Sequence, residues 1–165
     1  MMRAEADAPD VTSTPGRLPP MTPSTPMDPT DLQTRTRAIL DVPLNRHLGL
    51  VFDGVDDGVA RAHFVATPAT LAFGGVHGGV LYALTDAVCM LALLPALDAS
   101  QHAVTHDLYV SVMRPVPAGA VCRLSARVLR LGRTLAFLEA TAEVEGRIVA
   151  SGRVTKSIVA ARALS

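Results

Sequence analysis

The chain has 165 residues, nearly half of them apolar, and its formal net charge at pH 7 is zero. This length suits a single globular domain that buries a core of its own, and a balanced charge without a basic stripe gives no electrostatic case for binding nucleic acid. Cys89 and Cys122 lack the paired spacing of a zinc site or a disulfide framework, so we expect two reduced, buried thiols.

A proline-rich arm opens the chain. Seven of the twelve prolines lie within the first thirty residues, with Ser, Thr and Asp and without apolar periodicity. This composition is typical of disorder, and the arm does not resemble a secretory signal. We therefore predict a disordered arm over residues 1–30, one domain over residues 31–165, and a cytoplasmic protein.

The next segments predict one short helix and a pair of strands. Asp31 to Leu40 is weakly amphipathic and predicts a short helix. Leu48 to Asp53 and Val59 to Ala66 then bracket Asp56-Asp57-Gly58, a strong hairpin turn.

The apolar stretch from Phe73 to Leu97 predicts a long helix, whose first turn we place near Gly78. A membrane span is the alternative, but Asp86 lies near its middle, where a charge costs roughly 2.5 to 3.5 kcal/mol in a bilayer. Pro95 interrupts its end. The pattern therefore favours a helix surrounded by protein.

Four strands are predicted after this helix, because apolar and polar residues alternate and the turns are short and contain glycine or proline. They are Ala103 to Met113, Val121 to Leu131, Thr134 to Glu145 and Arg147 to Ile158. The order predicts an α+β fold in which a long central helix is wrapped by a curved antiparallel sheet.

Three motifs occur in this order within about residues 40–160. They are His77-Gly78-Gly79 followed nine residues after the histidine by Asp86; Val104-Thr105-His106-Asp107-Leu108 through Arg114-Pro115; and Gly132-Arg133-Thr134-Leu135-Ala136-Phe137 with Ala150 to Lys156. Together they resemble the hotdog fold, and specifically its acyl-CoA thioesterases of the phenylacetate-degradation (PaaI-like) type.

The resemblance implies hydrolysis of an acyl-CoA thioester without a cofactor. Asp86 would activate water as a general base or attack directly to form a transient anhydride. The Gly78 N–H would polarise the carbonyl, Thr105 would position the water or the carboxylate, and His77 would shape and cap the loop. The residues themselves support this chemistry, because a helix start offers unpaired N–H groups and glycine allows close approach.

Two copies of the chain are expected to share each site. Asp86 lies ~12 Å along the helix from Gly78, at 1.5 Å per residue, so one thioester cannot touch both in the same chain. The resemblance implies the same arrangement, a homodimer or a dimer of dimers with a continuous sheet. No nucleic acid or membrane partner is expected.

The predicted substrate contacts are Gly79, Tyr82, Arg114, Arg133 and Thr134, with the two arginines facing the CoA phosphates. Alternatively, Tyr82 belongs to the core and the arginines are solvated turn residues. The histidines at 47, 63, 102 and 106 lack ligand spacing and predict no metal.

One position departs from the family pattern. Many relatives have an asparagine six residues before the histidine, where this chain has Leu71. This departure favours a non-catalytic acyl-CoA binding or sensing protein, whereas the presence of Asp86 argues against it. The alternatives for the motif itself are a simple loop and helix cap at His77-Gly78-Gly79 and a structural carboxylate at Asp86. A hotdog hydratase or dehydratase ranks last, because nothing around His77 matches its motif.

Overall fold

A computed structural model of the protein describes residues 27–161. Three helices and eight strands follow one another: α1 (Pro29–Leu40), α2 (Pro43–His47), β1 (Val51–Asp56), β2 (Val59–Val65), β3 (Leu71–Ala72), β4 (Gly75–Val76), α3 (Gly78–Leu93), β5 (Gln101–Val112), β6 (Val121–Leu131), β7 (Leu135–Val144) and β8 (Arg147–Ala160). Residues 1–26 of the predicted arm lie outside the described residues. Helix α1 begins at Pro29, two residues inside that arm.

Six strands form one antiparallel sheet in the order β1-β2-β6-β7-β8-β5. Helix α3 packs against β2, β5, β6, β7 and β8, and its apolar side chains fill the core. This is the predicted α+β hotdog arrangement. The alternating pattern located the strands well, and β6 has the predicted bounds.

Only the part of the stretch from Gly78 to Leu93 is α-helical, so the predicted start near Gly78 is confirmed, whereas the predicted extension of the helix over Phe73 to Leu97 is wrong. The first residues of the stretch belong to the β3–β4 hairpin, whose turn residues Phe73 and Gly74 have φ of 51° and 90°. The helix begins only at Gly78, because the His77 ring caps it, and a short 3-10 turn over Leu94–Ala96 follows its end.

Helix α3 lies deep in the fold. By length and composition Gly78–Ala96 could span a membrane, yet 67% of its most apolar window is buried inside the protein. The helix also approaches the sheet closely at Gly152 of β8, where an added Cβ would stand 3.1 Å from Thr85 Cγ2 and from Tyr109 O. Such contacts are those of a core helix.

Candidate active site

Three polar side chains meet where α3 crosses the edge of the sheet. The Thr105 hydroxyl donates to Asp86 Oδ1 at 2.6 Å, and the Lys156 ammonium donates to the same oxygen at 2.8 Å. Lys156 Nζ also lies 2.9 Å from Thr105 Oγ1. The structure thus unites two predicted residues, Asp86 and Thr105, with a lysine to which no role was assigned.

A β-bulge brings Thr105 to the inner face of the sheet. On β5, Thr105 pairs with Lys156 and Asp107 pairs with Thr155, so His106 is the extra residue. Because successive side chains alternate between the faces, this insertion shifts the alternation by one. Thr105 therefore faces Asp86 although it shares odd numbering with the outward Tyr109.

The cluster contains a buried charge. The Lys156 side chain is 2% exposed, whereas that of Asp86 is 36% exposed. A buried ammonium needs a nearby counter-charge and hydrogen-bond acceptors, and Asp86 and Thr105 supply them. The short Thr105–Asp86 distance is typical of a hydroxyl that donates to a carboxylate.

The cluster lines a mostly apolar cleft of about 490 Å³. Its walls come from α1 and α2, from α3 and from β5, and include Ile39, Leu44, Ala83 and Met90. Asn45 also lines it, and its amide nitrogen donates to Ile39 O at 2.8 Å. A carboxylate thus opens on a cleft that suits an apolar group.

The start of α3 presents the second predicted part of the site. His77 Nδ1 accepts the Gly79 N–H at 2.9 Å, which makes His77 the N-cap and, in the neutral ring, leaves the proton on Nε2. Gly79 is required by this cap, because a Cβ there would stand 3.0 Å from His77 Nδ1.

Gly78 is not explained by packing within its own chain. Its φ is not positive, and the space around its missing Cβ is open. Within residues 27–161 its N–H donates to no acceptor. A free N–H at a helix start is able to polarise a carbonyl oxygen of another molecule.

A second cleft of about 410 Å³ adjoins the first at Leu44 and Ala83 and reaches His77 and Gly79. Leu71 lines it from β3, half-buried, and supplies no amide. The neighbouring Thr70 hydroxyl donates to Thr67 O at 2.9 Å.

Four other predicted contacts, Tyr82, Arg114, Arg133 and Thr134, do not line the Asp86 cleft. The Tyr82 hydroxyl donates to Val110 O at 2.7 Å and ties α3 to β5; its side chain lines neither cleft. Arg114 donates to Ile148 O at 2.6 Å. Arg133 and Thr134 are exposed in the β6–β7 turn, where the carbonyl of Thr134 accepts from Ile158 N–H.

The histidine that lines the Asp86 cleft was predicted to be an ordinary strand residue. Burial lowers the pKa of His102, and the charges of Arg35 and Lys156 lower it further, so the ring is neutral at pH 7. Cys89 and Cys122 are free, buried thiols. Burial raises the pKa of Cys89 to about 12, which keeps it protonated.

The outer face of the sheet holds a separate cleft of about 470 Å³. Its carboxylate, Glu139, is bridged by Arg127 at 2.6 Å and Arg153 at 3.3 Å. Among residues 27–161, no group of three His, Cys, Asp or Glu side chains is placed to hold a metal ion. Because the carboxylate of Glu139 is already paired with two arginines, the Asp86 cleft is the better candidate for the active site.

Comparison with known proteins places this fold in a family. A sequence profile of the thioesterase superfamily matches residues 73–154. The solved structure of a phenylacetic acid degradation-related protein from Ralstonia eutropha is 31% identical, with a TM-score of 0.69; the match covers 76% of this chain and 98% of that one. The chain belongs to the thioesterase superfamily.

Two further relatives support the assignment of this chain to the thioesterase superfamily. Human acyl-coenzyme A thioesterase 13 is 34% identical over 91 residues, which are 54% of this chain and 64% of that protein. The match thus spans less than two thirds of that relative. A mutant of the phenylacetic acid degradation protein PaaI from Thermus thermophilus is 29% identical, with a TM-score of 0.64, and the match covers 70% of this chain and 97% of that one. The predicted family is confirmed.

Proposed function

We propose that the protein hydrolyses an acyl-CoA thioester to the free acid and CoA, with Asp86 as the base. The observation that carries the proposal is the carboxylate of Asp86 on a buried apolar helix, open to a mostly apolar cleft. Membership of the thioesterase superfamily supports the reaction, and the name of the human relative supports CoA as the leaving group.

In the proposed reaction, Asp86 takes a proton from water as the water oxygen attacks the thioester carbon. The Gly78 N–H stabilises the negative charge that develops on the carbonyl oxygen. The C–S bond then breaks, and the CoA thiolate recovers the proton. The direct attack of Asp86, through an anhydride, is the alternative that later releases the same products.

Thr105 acts on the carboxylate in this scheme. Its oxygen lies within hydrogen-bond distance of both Asp86 and Lys156. Since an ammonium only donates, Thr105 accepts from Lys156 and donates to Asp86. The Thr105 proton is therefore already donated to Asp86. This favours a role in which Thr105 positions the carboxylate over one in which it positions the water.

Each complete site draws on two chains in this proposal. Helix α3 is continuous from Gly78 past Asp86, so the ~12 Å between them holds in the folded chain. Strand β5 lies at the sheet edge and exposes Val104, Val112 and Tyr109. A long, exposed apolar edge strand is a template for pairing, which supports a homodimer or a dimer of dimers.

Contacts to CoA are proposed at the start of α3 and in exposed turns that do not line the two clefts. Gly79 lies beside Gly78 at the helix start, and Arg114, Arg133 and Thr134 lie in exposed turns. Guanidinium groups pair well with phosphate oxygens. Arg114 already holds Ile148 O, so its remaining N–H groups would make the contact.

A non-catalytic acyl-CoA binding protein is the second candidate. Leu71 favours it, because its position supplies no amide to hold an attacking water. This candidate predicts that acyl-CoA raises the melting temperature without release of thiol.

Thiol release from a panel of aromatic and aliphatic acyl-CoA thioesters tests the proposal. We expect the native protein to turn over and Asp86→Asn to lose activity by orders of magnitude. Ligand-induced stabilisation without thiol release by the native protein would instead establish the binding protein.

A further inference from the structure

Lys156 is the one lysine among fifteen basic Lys and Arg residues in the chain. Every other residue of this group is an arginine, yet among the basic residues within 27–161 the lysine is the one that is buried, on the inner face of β8 beside Val154. A buried ammonium is unfavourable unless it is paired and hydrogen-bonded, and the two partners of Lys156 are Asp86 and Thr105, both predicted site residues. The family profile ends at residue 154, so that match assigns nothing to Lys156.

The hydrogen bonds around Lys156 have a single consistent direction. Nζ donates to Asp86 Oδ1 at 2.8 Å and to Thr105 Oγ1 at 2.9 Å. Thr105 must then donate its proton to Asp86 Oδ1, at 2.6 Å. Both bonds to the carboxylate therefore fall on one oxygen.

The second carboxylate oxygen of Asp86, Oδ2, is available for the reaction. Within residues 27–161 Oδ2 has no hydrogen-bond partner, and no buried side-chain oxygen in this part of the chain lacks one. Oδ2 is therefore accessible. The carboxylate lines the cleft, so Oδ2 is the oxygen that a water in the cleft can reach.

We propose that Lys156 is the positioning residue of the site: it locks Oδ1 of Asp86, directly and through Thr105, and so presents Oδ2 as the oxygen that takes the proton of the attacking water. The inference rests on the proposed function. In the reaction the water proton moves to Oδ2, the water oxygen bonds to the thioester carbon, the C–S bond breaks, and the proton passes to the departing thiolate. Lys156 keeps its own protons throughout.

The geometry separates this role from that of a nucleophile. An amine that attacks a thioester needs a free lone pair, whereas Lys156 forms an ion pair with Asp86 at 2.8 Å, and an ammonium has no lone pair. A merely structural role is the remaining alternative. It predicts loss of stability without a specific effect on kcat.

The test compares Lys156→Ala with Arg153→Ala, a matched control that removes an exposed cation three residues away on the outer face of β8. Kinetics are measured on the acyl-CoA thioester that the native protein hydrolyses best, at a temperature where both variants are folded. We expect kcat of Lys156→Ala to fall by roughly 10²-fold, the effect of a misplaced catalytic group, with KM within about twofold because no substrate contact is lost. Arg153→Ala should keep both constants.

Chemical rescue adds a readout that a structural role would not move. Ethylammonium should raise kcat of Lys156→Ala, because it can return an ammonium to the space that the side chain leaves, whereas ethanol should not. A kcat of Lys156→Ala within about twofold of native, or equal effects of ethylammonium and ethanol, would overturn the inference alone. A native protein that releases no thiol from any thioester would overturn the proposed function and the inference with it.

Discussion

Asp86 and Lys156 form an ion pair in which one member is buried and the other opens on a cleft. Loss of the aspartate charge leaves the ammonium buried without its counter-charge. We therefore predict that Asp86→Asn lowers the free energy of unfolding by about 3 kcal/mol. Chemical denaturation monitored by circular dichroism would measure it.

The double variant Asp86→Asn with Lys156→Met provides the matched control. Methionine replaces the lysine with an apolar chain of similar length, so most of the lost stability should return while thiol release stays absent. A double variant less stable than Asp86→Asn would contradict this account of the pair. Loss of activity in Asp86→Asn is therefore evidence for a catalytic role only when the folding of the variant is measured as well.

Both charged residues of the site can be recognised in the sequence. Asp86 stands out because it interrupts an apolar helix. Lys156 carries a comparable signal: it falls in phase with Gly152, Val154 and Ile158 on the buried face of an alternating strand, and it is the one lysine. The sequence gives no comparable sign that the Thr105 side chain lies on the inner face of the sheet, because that orientation depends on the bulge at His106.

The β3–β4 hairpin contains a strained aromatic residue. Phe73 is fully exposed and has a φ of 51°. Non-glycine residues rarely adopt this conformation, and asparagine tolerates it better. We predict that Phe73→Asn raises the free energy of unfolding by about 1 kcal/mol.

Thermal or denaturant unfolding of Phe73→Asn checks this prediction against native protein. Ala72→Ser is a nearby control that leaves the turn residues unchanged. An Asn variant that is less stable than native would show that Phe73 makes contacts that outweigh its backbone strain. Because Phe73 is exposed in the single chain, such contacts would be made with a second copy of the chain.

Strands were predictable from period-two alternation, as the bounds of β6 show. The β3–β4 hairpin was not, because Phe73 to Val76 adjoin an apolar helix and a short apolar run does not distinguish strand from helix. Its turn depends on two residues with positive φ, of which only Gly74 is a usual turn residue.

For the whole molecule, we propose that each site joins Gly78 of one chain to Asp86 of another. The helix start at Gly78 suits a substitution by proline. Proline is favoured at the first helical position and lacks an N–H, and the space around Gly78 is open. The backbone of His77, with φ of −59° and ψ of 130°, is one that a following proline allows.

The most direct test mixes two inactive proteins, Gly78→Pro and Asp86→Asn, by joint refolding and measures thiol release. Each alone should be inactive, whereas a mixed dimer contains one site with both native groups. Equal mixing should therefore restore about a quarter of native activity, and Gly78→Ala, which keeps the N–H, should be more active alone than Gly78→Pro. A mixture that forms mixed dimers yet stays as inactive as its components would contradict a site shared between two chains.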